Sequence, residues 1–300
     1  MTAHRMSLHR LVICTALVLA GCSKSGRVTG PDPSAGKSQS PSRGVPAAGA
    51  SDVGTQQGHE FVPRSDNPYF PLVPGATFRY RSETPDGVET EVFTVTRETR
   101  RIAGVTTRVI EDVVRLDGKW IEHTFDYFAS DEQGNVWYFG EDARSRDPAT
   151  GEVSTEGSWR AGRDGAEGGI IMEAHPQVGD VYNEENAPGI AQDQARVLAL
   201  DATANVPAGA YSNCLETENF SAFDPGAIEH KYYALGIGLV LEVDVNENTT
   251  NELVKVKGAD PRGDDRDESG DDDDDNSLRN AHVSHVTIAR PARPAGGGAR

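Results

Sequence analysis

The chain has 300 residues, with 47 Asp and Glu against 29 Lys and Arg, and a formal net charge of −18. Residues 1–60 carry +3 and residues 257–300 carry −3, which cancel, so the whole −18 lies on residues 61–256. So acidic a domain argues against nucleic-acid binding, which needs basic side chains to displace counterions, and against adhesion to anionic headgroups; cations, a basic partner or plain solubility remain.

In chain order, Arg5 and Arg10 precede the ten-residue apolar run Leu11–Ala20. Spanning a bilayer takes about 20 residues, so this run has the length of a signal-peptide core. Leu19-Ala20-Gly21-Cys22 follows and resembles the lipobox of bacterial lipoproteins. That resemblance implies removal of residues 1–21, acylation of the Cys22 thiol, and anchorage on the cell membrane or outer membrane, facing away from the cytoplasm. Two or three acyl chains hold stably, so the membrane is the expected partner through Cys22. Cys14 is removed with the signal and Cys22 carries lipid, leaving Cys214 as a free thiol expected to be a buried, inert strand residue.

Residues 22–66 are rich in Ser, Gly, Pro and Ala and read as a disordered tether of about 40 residues. A β domain is expected over 67–256. Residues 257–300, with the run Asp271–Asp275, read as a mostly disordered acidic tail.

Within the domain a weak repeat appears. Val73–Tyr80 aligns with Gln177–Glu184, Gly104–Asp112 with Gly209–Thr217, and Trp120–Tyr127 with Ala227–Ala234. Glu111 thereby meets Glu216, and His123 meets His230. Repeat 1 spans about 73–141, a Gly-rich inter-repeat loop 142–172, and repeat 2 about 177–245. Each half alternates as strands do: Ile121, His123, Phe125 and Tyr127 share one face, Glu122, Thr124 and Asp126 the other. Asp117-Gly118 signals a hairpin. The expectation is a mainly β fold of duplicated antiparallel meanders, each of about four strands, forming a curved sheet, paired half-barrels or a sandwich.

Asn67-Pro-Tyr-Phe-Pro-Leu-Val-Pro-Gly75, Gly134-Asn-Val-Trp-Tyr-Phe-Gly-Glu141, Thr155–Trp159, Gly169–Met172 and His230–Val240 are similar to segments of a group of bacterial exported or lipid-anchored proteins with no assigned activity. The resemblance implies no site residue. The plan of a lipid anchor plus a curved antiparallel sheet also resembles the periplasmic half-barrel lipoprotein carriers, in architecture alone.

The candidate chemistry is sparse. Asp265, Asp267 and Asp271 fall in a stretch matching the opening of an EF-hand loop, which suggests weak Ca2+ association, but Asn276 stands where the bidentate Glu belongs. His282-x-x-His285 has too few ligands for zinc. No nucleophile-elbow, zinc-protease or phosphate-loop motif occurs. A hydrolase would need the Glu156–Trp159 loop beside His123 or His230, and a glycosidase pair such as Glu141 and Glu156 is one choice among many acids. The leading expectation is a non-enzymatic binding or assembly module holding an apolar or extended ligand on a face with Tyr127, Trp137, Tyr232, His123 and His230. The alternative is a structural or protein-interaction lipoprotein without a small ligand.

Overall fold

The computed structural model describes residues 54–56, 58–221 and 223–258. Cys22, the Ca2+ candidates Asp265, Asp267 and Asp271, and His282 and His285 lie outside them. The described residues fall in the first of two compact units, Met1–Gly263.

Among the described residues every regular element is a strand. In order they are β1 (Gly54–Gln56), β2 (His59–Val62), β3 (Thr77–Thr84), β4 (Gly87–Ile102), β5 (Val105–Leu116), β6 (Lys119–Asp131), β7 (Val136–Arg146), β8 (Val153–Ser154), β9 (Trp159–Arg160), β10 (Glu167–Met172), β11 (Val181–Asn183), β12 (Glu185–Asn186), β13 (Asp193–Val206), β14 (Gly209–Ser221), β15 (Ile228–Ala234), β16 (Gly238–Asp244) and β17 (Thr249–Lys257). Alternation of large apolar or β-branched residues with polar ones dictates the strands; β3, for instance, buries Phe78, Tyr80 and Ser82 and turns Arg79 and Glu83 outward.

All pairings are antiparallel. The ladder runs from β3 through β4, β5, β6 and β7 to β10. β10 meets β12, and β11 meets β13. Glu184, between β11 and β12, donates its amide to Asp193, so 181–186 act as one stave. The ladder continues through β14, β15, β16 and β17, and β17 pairs back onto β3. The result is a nearly closed barrel of twelve staves, thinnest between β10 and β12, where two residue pairs hold it.

The two halves are built alike. Gly75 N–H donates to Val95 O at 2.7 Å, Val95 N–H to Ala76 O at 2.9 Å, and Ala76 N–H to Val73 O at 3.0 Å. Gly179 N–H donates to Val197 O at 2.9 Å, Val197 N–H to Asp180 O at 3.0 Å, and Asp180 N–H to Gln177 O at 3.0 Å. Gly75 and Gly179 sit at φ 97° and 98°, where a side chain is strained, which is why both turns use glycine. Each turn opens five staves, β3–β7 or 181–186 to β16, rather than about four. A sixth, β10 or β17, then bridges to the start of the other half.

Two sequence-based boundaries shift. The expected tether over 22–66 gives way to structure at its end: β1 pairs with β2, and β2 with β6 through Phe61↔Asp131. One large side chain accounts for this, since Phe61 is buried edge-on against Trp137 and Phe139. The expected loop 142–172 is partly strand. β7 runs to Arg146, β8 and β9 fold back onto it, and β10 enters the barrel. Trp159 buries its ring against Tyr138 and pulls that excursion inward.

At the thin seam a Cβ on Gly169 would stand 2.3 Å from the Glu184 carbonyl oxygen, a backbone atom. Gly169→Ala is expected to cost roughly 3 kcal/mol and lower the melting temperature by about 10 °C. Gly226→Ala, whose Cβ meets nothing nearer than 3.5 Å, serves as control. Thermal melts by circular dichroism decide; equal melting of the two variants would refute the role of the seam.

Candidate functional site

On several staves the inward residues change character along the strand. On β4, Glu89 and Glu91 give way to Phe93 and Val95; on β6, Glu122, Thr124 and Asp126 give way to Phe128. On β15, Glu229 and Lys231 precede Tyr233; on β16, Val240 precedes Glu242. One half of the interior is therefore apolar and the other carboxylic. The apolar end is stopped by 65–72: Phe70 packs 5.4 Å from Phe128, Leu72 is buried, and Pro68 O accepts from Gly236 N–H. Asn67 clamps this plug by donating to Gly134 O at 3.1 Å and Glu173 O at 3.0 Å.

At the other end the acids crowd together. Asp126 pairs in the ladder with Glu141, and Asp112 with Thr124. Tyr138 OH donates to Asp126 at 2.7 Å, and the Trp159 indole N–H to Glu185 at 3.0 Å. Asn219 donates to Glu184 at 2.6 Å, and Asn251 to Glu91 at 2.6 Å. Glu141 is 0 % exposed and neither of its carboxyl oxygens has a hydrogen-bond partner.

Burying a carboxylate without a counter-ion is costly, so the pKa values of Asp126, Asp112, Glu141 and Glu185 are raised. Burial pushes Asp126 up to about 7 against the pull of the Tyr138 and Thr124 hydrogen bonds. Burial, then Glu91, raises Asp112; burial, then Glu185 and Asp126, raises Glu141; burial, then Asp193, raises Glu185. The neighbouring carboxyls reinforce one another: Glu91 raises Asp112, and Glu229 raises Glu242. Among the described residues Lys231 is the one buried Lys or Arg. Its ammonium lies 3.8 Å from Glu229 and 4.0 Å from Glu242. Burial alone would lower its pKa, but Glu242 and Glu229 carry it well up.

The residues expected to hold a ligand engage partners other than these buried acids. Tyr127 lies under Arg100 and Arg160, accepts from Arg100 and donates to Asp142 at 2.8 Å; burial and Asp142 push it up to about 12. Trp137 donates to Asp131 and packs on His59 and Phe61. His123 bonds Glu111 at 2.9 Å with Phe125 against its ring. His230 bonds Glu216 at 3.0 Å, and Tyr232 OH donates to the same oxygen at 3.0 Å. Glu111–His123–Phe125 and Glu216–His230–Tyr232 thus form the same half-buried constellation, once in each half. His230 and Tyr232 hold Glu216 below the usual carboxylate range. Glu156 is exposed and Trp159 is committed to Glu185, so these contacts do not assemble the hydrolase grouping. Cys214 is fully buried; its counterpart in the first half is the buried Val109.

The sequence matches no protein-family model and no curated protein. A crystal structure described as a putative lipoprotein from Parabacteroides distasonis aligns at 11 % identity and a TM-score of 0.34, over 63 % of this chain and 98 % of that one. A likeness at that level bears on neither fold nor function.

Proposed function

We propose that this is a lipid-anchored envelope protein whose barrel is a non-enzymatic binding module, with its ligand held inside the carboxylic half. The observation that carries the reading is the divided interior: one end is packed and plugged, while the other concentrates buried acids at a cost in stability that packing alone does not require. A site that costs stability is characteristic of function. The reading moves the ligand from the aromatic face read in the sequence to the inside of the barrel, because Tyr127, Trp137 and Tyr232 are already bonded to Asp142, Asp131 and Glu216. The anchor rests on the lipobox at Cys22.

Native mass spectrometry of the full chain, purified in neutral detergent, tests the module. A bound small molecule of defined mass is expected. A ligand-free spectrum from every preparation, with no thermal shift from a broad metabolite panel, would leave the structural alternative standing. Cys22→Ala is expected to move the protein from the detergent phase to the aqueous phase on phase separation; unchanged partitioning would refute the anchor.

A further inference from the structure

We propose that the carboxylic half of the barrel binds a linear aliphatic diamine or polyamine, with one ammonium group beside Thr124, where the first half has the counterpart of Lys231. This deepens the binding-module reading and rests on it.

The duplication supplies the argument. In the second half a primary ammonium is already held, wholly buried, between Glu229 and Glu242. The same alignment sets Glu122 opposite Glu229 and Thr124 opposite Lys231. Both Glu122 and Thr124 are buried. The first half keeps one of the two acids, has Ala143 in the ladder where the second half has Glu242, and adds Asp112, Asp126 and Glu141, but its chain offers a hydroxyl where the other offers an ammonium. Glu141 is the independent sign of a ligand. It faces Asp126 across the ladder, is fully buried, and both of its oxygens lack a hydrogen-bond partner.

The spread of the acids selects the ligand class. Among the described residues no three or more His, Cys, Asp or Glu side chains gather closely enough to hold a metal ion. The carboxyls instead stand on successive staves, about 4.8 Å apart. A chain of ammonium groups separated by methylenes matches that distribution better than a point charge does. Tyr138 and Trp159, edge-on at 5.4 Å, each donate to one of the acids and set apolar rings beside them. Barrel diameter grows with strand number, and some eight-stranded barrels hold a small ligand.

The test is thermal denaturation and calorimetric titration of the full chain in neutral detergent with spermidine, n-butylamine and MgCl2 at matched ionic strength. Spermidine is expected to raise the melting temperature saturably by about 5 °C, with a smaller rise for butylamine and none for Mg2+. Thr124→Lys is expected to raise the melting temperature without any amine and to abolish the spermidine response. Glu141→Gln is expected to weaken spermidine binding about tenfold or more, and decides the matter if Thr124→Lys does not fold. Equal responses to Mg2+ and spermidine, or a spermidine response untouched by both variants, overturns the proposal. A co-purified non-cationic molecule with no amine response overturns it while leaving the binding module intact; no bound molecule of any class overturns both.

Discussion

Lowering the pH from about 8 to about 5 is expected to raise the melting temperature of the ligand-free chain by 10 °C or more, the reverse of ordinary acid denaturation. Asp126 titrates near 7 when folded, against an ordinary value of 3.8. A folded-state pKa above the unfolded one means that the native state binds the extra proton. The cost of ionisation is absent below about 4, grows as pH rises through the interval, and is complete above about 7. For Asp126 it amounts to roughly 4 kcal/mol. Asp112, Glu141, Glu185 and Glu242, raised by burial, act in the same direction. Opposing them, Asp142, which bonds Arg160, and Glu216, which bonds His230, lie below the usual range, so their contributions vanish only in stronger acid. The curve should therefore peak at mildly acidic pH and fall on both sides. Melts across that range, with Asp126→Asn as comparison, provide the check. Asp126→Asn should flatten the neutral limb, and a wild-type curve highest at pH 7 to 8 would show that the buried acids do not hold their protons.

Lys231→Met is the substitution expected to do most damage. The side chains are similar in volume, so packing changes little, but Glu229 and Glu242 lose the one buried cation beside them. Removing one partner of a buried ion pair typically costs about 3–5 kcal/mol. Adding Glu242→Gln should restore a good part of this, because the charge left unpaired is then gone. Denaturant titrations of both single variants and the double variant measure the coupling. If Lys231→Met alone were neutral, the carboxyls would have to be protonated regardless of the lysine, and the ammonium would not be a model for a bound amine.

Much of the architecture is legible in the sequence. The alternation in 119–128, the Asp117-Gly118 hairpin and the Gly75/Gly179 alignment point directly to an antiparallel duplicated fold. Closure is less legible. β10 and β17 have no special composition, and Gly169 looks like a loop residue until the close approach of Glu184 gives it a reason. The proposed site lies on the face opposite to the one that sequence reasoning favoured. On β6 that reasoning assigned ligand binding to His123 and Tyr127, because aromatic residues usually line pockets. The structure buries Glu122, Thr124 and Asp126, leaves His123 half-exposed, and buries Tyr127 with its hydroxyl bonded to Asp142. Alternation identifies two faces but not which one is inside, and a barrel that buries acids inverts the usual assumption. A signal was present: Glu122 and Glu229 repeat in register, so an acid at this place follows the duplication rather than the scatter of a solvated surface.

The two bridging staves occupy equivalent places in the barrel but not in time. Gly168 pairs with Glu185 across a short stretch of chain, so that seam can zip as soon as its hairpin exists. Asn251 pairs with Ser82, roughly 170 residues away, so the opposite seam closes only after both meanders are in place. Until then β3 and β17 each present an unpaired edge, and the acids between them still face water. Closure of that last seam is thus the step at which the chain must take up protons or an amine, which makes the refolding rate, and not stability alone, sensitive to both.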